Sequence, residues 1–187
     1  MLSILETRPF RWPDEAACER FAQALARCPQ IADLGIELDG GLGAGKTSLV
    51  RHLLRALGVT GRIKSPSYAV VEDYTPPGLG GLPAHHFDFY RFSDPREWED
   101  AGFRDVFAAP GLKLSEWPSK AAGMLPPPDL RLVLAVNDDD SRDVHAEAHT
   151  PRGQALLAEL DRQLAALTSS SAAPAASDAP GTGGAPD

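Results

Sequence analysis

The stretch Gly40-Gly41-Leu42-Gly43-Ala44-Gly45-Lys46-Thr47 restricts the fold of this chain more than any other. It fits a glycine, four further residues and then Gly-Lys-Thr, the spacing of a loop that wraps a polyphosphate. Glycines allow a tight turn and bring consecutive backbone N–H groups close to phosphate oxygens with no Cβ in the way. The Lys46 ammonium suits the outer phosphates, and the Thr47 hydroxyl suits Mg²⁺. Such a loop needs a strand before it and a helix after it. Leu34-Gly35-Ile36-Glu37-Leu38-Asp39 reads as the strand. Leu49, Val50, Leu53, Leu54 and Leu57 recur at helical spacing, and Gly58 sits where that helix should end. The context predicts a binding site for ATP or GTP.

Composition sets the frame around this loop. With 187 residues and 43% hydrophobic content the chain can build one core, not comfortably two. No run approaches the roughly 18 apolar residues of a membrane span, and the first residues do not read as a signal peptide. A cytoplasmic location without membrane attachment is expected. Cys18 and Cys28 are then expected as reduced thiols, and two ligands alone would leave a metal site incomplete. The net charge of −8 argues against direct, tight capture of nucleic acid by a basic face. Arg8 and Arg11 read as plain surface charge.

Taken in order, residues 14–27 read as a first helix opening at Pro13 and Asp14. The glycine loop and its helix follow. Residues 58–67 form a Gly-, Lys-, Ser- and Pro-rich loop in the position where many nucleotide hydrolases sense the outermost phosphate. Lys64, Ser65 and Ser67 have suitable donors, although an ordinary polar connection fits equally well. Residues 68–74 and 84–91 read as strands. The second carries Asp88 among large apolar neighbours, an acid that could hold metal through water, orient a catalytic water, or pair with Arg91 or a backbone amide. His85 and His86 have no third ligand at useful spacing and read as structural. Residues 111–118 give a strand ending at Glu116. A carboxylate at a strand end after a phosphate loop can hold Mg²⁺ and position water, so Glu116 joins Thr47 as a metal-site residue, a surface glutamate being the alternative. Residues 129–137 and 142–149 pair as a hairpin across an acidic turn, residues 151–167 form a last helix, and residues 168–187 read as a disordered tail. These elements predict a single α/β domain over residues 1–167, with a mixed, mostly parallel sheet flanked by helices.

Five motifs in this order resemble one family. They are residues 40–48, Lys64-Ser65-Pro66-Ser67-Tyr68, His86-Phe87-Asp88-Phe89-Tyr90-Arg91, Asp105-Val106-Phe107 and Glu116-Trp117-Pro118. Together they resemble the TsaE (YjeE) family, bacterial P-loop ATPases of tRNA threonylcarbamoyladenosine synthesis, from the first helix through the last. The resemblance implies that Leu42, Gly43, Ala44, Gly45, Lys46, Thr47 and Ser48 wrap the phosphates of ATP, with Mg²⁺ on Thr47 and Glu116. Lys46, Asp88 and Glu116 would serve catalysis, Trp117 would bind the nucleotide, and Arg142 would lie near its base. Residues 64–67 correspond to the family's switch-like loop.

The implied partners are TsaD, which binds the tRNA and carries out the transfer, and TsaB, on tRNAs reading ANN codons. tRNA would then be met only through that complex, and ATP hydrolysis would support its turnover. No arginine finger is evident, so hydrolysis is expected to be slow alone and faster with partners. Gly41 stands where family members usually carry aspartate, and Ser67 where they carry threonine. A small-molecule or nucleoside kinase shares the loop and the strand-end acid, but Lys120 and Pro126-Pro127-Pro128 make a poor arginine-bearing lid.

Overall fold

The computed structural model describes residues 3–66 and 70–171. Seven strands among them form one sheet: β1 (Glu6–Trp12), β2 (Gly35–Gly40), β3 (Val71–Tyr74), β4 (Ala84–Asp88), β5 (Leu112–Glu116), β6 (Leu130–Val136) and β7 (Arg142–Ala148). The helices are α1 (Glu15–Ala26), α2 (Lys46–Ala56), α3 (Pro95–Asp100), α4 (Phe103–Ala108) and α5 (Pro151–Ser171). The strand order is β1-β7-β6-β2-β5-β4-β3. The central neighbours β6, β2, β5 and β4 run parallel, and antiparallel pairings close both flanks. This is the α/β architecture with a mixed sheet that the residue pattern predicts. Parallel central strands bring the carboxyl ends of β2, β4 and β5 to one edge, where ligands of such sheets bind.

Side-chain alternation splits the sheet into two environments. Ile36, Leu38, Leu112, Leu114, Leu130, Leu132 and Leu134 enter the main core, with Phe21 and Leu25 of α1, Leu49, Leu53 and Leu54 of α2, and Leu156, Leu157 and Leu160 of α5. Phe87 points the other way, into a second cluster with Phe89, Phe92, Trp98 and Phe103. Phe87 stacks on Phe89 with centroids 5.6 Å apart, meets Phe103 edge-on at 5.3 Å and lies 4.8 Å from Phe107. These rings fasten α3 and α4 beneath β4. On the β6–β7–β1 side that face stays largely open, with Arg131 gripping Glu37 at 2.6 Å.

Local signals explain the helix starts. Asp14 caps α1 by accepting from Ala17 N at 2.8 Å. Asp129, 6% exposed, takes Gly35 N at 3.0 Å, Thr150 Oγ1 at 2.6 Å and Arg152 Nη2 at 2.9 Å, tying the start of α5 to the start of β2. Cys18 and Cys28 are free, buried thiols.

Several boundaries differ from the sequence expectation. β1 takes up Arg8 and Arg11, a strand the sequence reading did not place there; both side chains keep their charge at the surface, where Arg8 meets Glu6 at 2.7 Å and Arg11 meets Asp139 at 2.8 Å. The strand expected over 84–91 ends at Asp88, whose carboxylate accepts from Tyr90 N at 3.1 Å and turns the chain. The strand expected over 68–74 is seen from Val71, and Ser67, Tyr68 and Ala69 lie outside the described residues. The last helix continues past Leu167 to Ser171, and within this extension the Thr168 and Ser169 hydroxyls donate to the carbonyls of Leu164 and Ala165 at 2.9 and 3.0 Å. Residues 172–187, most of the expected tail, lie outside the described residues.

Two outcomes test this packing. Phe87→Ala should cost about 3–5 kcal/mol in denaturant unfolding, since the ring has no exposure and three aromatic neighbours lose their partner. Burial pushes both thiols up to about 12 from the ordinary 9.0. A disulfide thiol reagent at about pH 8 should therefore titrate neither cysteine in the folded protein and both after denaturation.

Candidate functional site

The glycine loop leaves β2 at Gly40 and enters α2 at Lys46. Gly40, Gly43 and Gly45 have φ of 148°, 77° and 103°, and a Cβ on Gly40 would lie 2.5 Å from Leu134 O. Only glycine suits these backbone positions. The loop amides and the α2 N-terminus together make an anion cradle. Lys46 Nζ donates to the carbonyls of Gly40 and Gly41 at 2.7 and 2.8 Å, with the Trp117 ring centroid 3.9 Å away. Burial draws the ammonium's pKa below its ordinary value, against the opposing pull of Glu116, Asp39 and Asp88.

The two predicted acids stand side by side. Asp88 ends β4 and Glu116 ends β5 in direct register, with Leu38 of β2 on Glu116's other side. Thr47 Oγ1 lies 2.9 Å from each oxygen of Glu116, which is 2% exposed. The strand-end surface alternative for Glu116 is therefore excluded. Asp88 accepts from Ser65 Oγ at 2.8 Å and from Tyr90 N, so the post-α2 loop is fastened to the strand-end acid. After Glu116 the chain turns through Trp117, which holds φ 57°, an uncommon value for so large a side chain. Its ring meets Tyr90 at 4.9 Å.

A cavity of about 350 Å³ opens between these elements. It is lined by Leu42, Gly43, Ala44, Gly45, Lys46, Thr47, Ser48, Ser65, Asp88, Glu116, Trp117 and Arg142, so the site residues that the family resemblance implies reach one place, whereas Lys64 does not line it and Ser67 lies outside the described residues. Arg142 approaches from β7, its Nη2 3.5 Å from Gly43 O. Residues outside the sequence expectation also line it, among them Trp12, Asp14, Glu15, Cys18 and Tyr90. Trp12 arrives on β1 opposite Arg142, and the only signal for it is its i, i+2 spacing from Phe10. His86, read as structural, is buried beside the site with its Nε2 2.7 Å from Glu116 Oε1, a partner the sequence reading did not name.

Residues 12–144 match the family described as "Threonylcarbamoyl adenosine biosynthesis protein TsaE". The chain belongs to the TsaE family. A Haemophilus influenzae relative named "tRNA threonylcarbamoyladenosine biosynthesis protein TsaE" is 38% identical, over 78% of this chain and 92% of its own. A Bacillus subtilis relative of the same name is 35% identical over 68% of this chain and 77% of its own. A solved structure, "Crystal structure of Bacillus subtilus YdiB", superposes with a TM-score of 0.68 at 28% identity, covering 86% of this chain and 97% of the other.

The loop geometry predicts how this TsaE-family chain tolerates change. Gly41 has no positive φ, and a Cβ there would meet nothing within 4 Å. Gly41→Asp should shift unfolding free energy by no more than about 0.5 kcal/mol, as surface substitutions usually do. Gly40→Ala should cost about 1–3 kcal/mol from the forced contact with Leu134 O. Paired urea titrations of the two variants check the contrast.

Proposed function

We propose that this protein binds ATP with Mg²⁺ in the glycine-loop cavity and hydrolyses it in support of tRNA threonylcarbamoyladenosine synthesis. The observation that carries the reading is the meeting of Thr47 Oγ1 with both Glu116 oxygens at 2.9 Å, at the mouth of the anion cradle. Family membership supports the pathway. TsaD and TsaB are the partners we assign, with tRNA held by them, which suits a chain of net charge −8.

The donor set fits Mg²⁺. Thr47 and Glu116 offer hard oxygen atoms, and among the described residues no group of three or more His, Cys, Asp or Glu could hold a metal. Mg²⁺ commonly takes one or two protein oxygens and completes its shell with phosphate oxygens and water. Bound there, it would neutralise charge developing on the phosphates.

The protein's own groups do the rest. The loop amides orient the phosphates, and Lys46 exchanges two carbonyl contacts for phosphate oxygens. Asp88, already accepting from Ser65, is placed to respond when that loop meets the outermost phosphate. Trp117 and Tyr90 shield the phosphate end from water, while Trp12 and Arg142 line the nucleoside end. Directly after Glu116 the chain folds into the short turn Pro118–Ala121, where an arginine-bearing lid would be expected of a kinase, and this favours hydrolysis over transfer to a small acceptor.

Hydrolysis by the purified protein should be slow and should rise when TsaB, TsaD and tRNA are added. Lys46→Ala should abolish nucleotide binding in calorimetry. Glu116→Gln should keep binding and lose hydrolysis on the order of 10²-fold or more. Phosphate appearing on a small acceptor instead, with no response to the partners, would overturn the reading in favour of a kinase. Full pathway function in Glu116→Gln would reduce the protein to a nucleotide-gated binding module.

A further inference from the structure

His86 is a polar ring where the fold would accept a hydrocarbon. It has no exposure, and its side chain shares the face of β4 that also carries Ala84 and lies in register with Leu114 of β5. Its Nε2 lies 2.7 Å from Glu116 Oε1, and its Nδ1 is buried with no partner. The two nitrogens settle the tautomer. A carboxylate oxygen needs a donor, and a buried N–H without an acceptor is rarer than a bare acceptor. The proton therefore sits on Nε2, which donates to Glu116, and Nδ1 is the bare acceptor.

Burying a polar ring with one nitrogen unsatisfied costs stability that a leucine at this position would not. The same ring holds the carboxylate on which the metal site of the proposed function depends. We infer that His86 is a positioning residue for Glu116, fixing the carboxylate from the protein interior so that it presents an oxygen beside Thr47 to an incoming Mg²⁺. This deepens the nucleotide–Mg²⁺ reading and rests on it. Thr47 belongs to the proposed ligand set and sits on α2, whereas His86 sits on β4, next to the strand of Glu116, and is not among the residues that line the cavity. Ligand-orienting groups of this kind typically change metal affinity 10–100-fold when removed.

The test compares ADP affinity, measured by calorimetry with Mg²⁺ and with a chelator, in the wild type, His86→Leu and His86→Gln. Leucine removes the donor and keeps an apolar filling, while the glutamine amide places an N–H near the Nε2 position. His86→Asn, too short to reach Glu116, replaces His86→Leu should that variant not fold. The expected result is unchanged affinity without Mg²⁺ in all proteins. The Mg²⁺-dependent gain should fall about tenfold in His86→Leu and largely return in His86→Gln. In hydrolysis, kcat should fall at saturating nucleotide and the Mg²⁺ concentration for half-maximal rate should rise. An equal Mg²⁺-dependent gain in all the proteins would overturn the inference. So would an affinity loss in His86→Leu that is the same with and without Mg²⁺, or a His86→Gln that behaves like His86→Leu. A wild type whose ADP affinity ignores Mg²⁺ would overturn the nucleotide–metal reading itself, an outcome recognisable without any variant.

Discussion

Glu116 is a carboxylate almost wholly withdrawn from water, and satisfying it determines the arrangement around it. An isolated buried charge is far too costly to persist, so its oxygens must be met by donors. Here they come from two elements that are distant in sequence, Thr47 at the start of α2 and His86 on β4. Meeting them requires β5 to lie between β2 and β4 in one particular register. The same register puts Asp88 beside Glu116 and the glycine loop above both. The glycine loop, Glu116 and the neighbouring Asp88 are thus brought together by one burial problem and its solution.

The opposite face of the sheet supplies the rigidity. Phe87 lies between His86 and Asp88 in sequence and points away from them, into a nest of rings from α3, α4 and the turn after β4. Aromatic packing of this density resists sliding of β4 along β5, because each ring fills space that its neighbours define. The polar residues on one face are therefore held in place by apolar residues on the other. Trp117 extends the arrangement to the mouth of the cavity. It keeps an uncommon backbone conformation while its ring lies over Lys46 and against Tyr90. Strain of this kind persists where surrounding contacts over-determine it, and it gathers at functional sites.

Much of this was legible in the residues because the chemistry is local. The glycine loop announces itself through spacing, and Glu116 through its place at the end of an apolar run. β1 was not legible. Its inward residues Glu6, Arg8, Phe10 and Trp12 mix charge with aromatic bulk, so alternation of hydrophobicity fails even though alternation of burial holds. Long side chains such as Arg8 bury their stems and keep their charge in water, which hides the pattern. The contact of His86 was hidden for a different reason. The sequence invites a search for a third metal ligand near two histidines, whereas the partner that matters is an acid thirty positions away on the adjacent strand. Such a pairing becomes visible only when strand order is known.

The alternation along β5 also carries a lesson about errors of length. Leu112, Leu114 and Glu116 face the helices, while Ser115 lies in register with Phe87 on the aromatic side. Losing one residue within this strand would turn Glu116 toward the rings and bring the bulky Trp117 into its former place. Substitutions here trade one side chain for another, but a deletion exchanges the two faces of the sheet at a stroke. Conformational integrity and chemical competence consequently share a single reading frame in space. A β5 paired one step out of phase would lack the active arrangement and also be too unstable to accumulate.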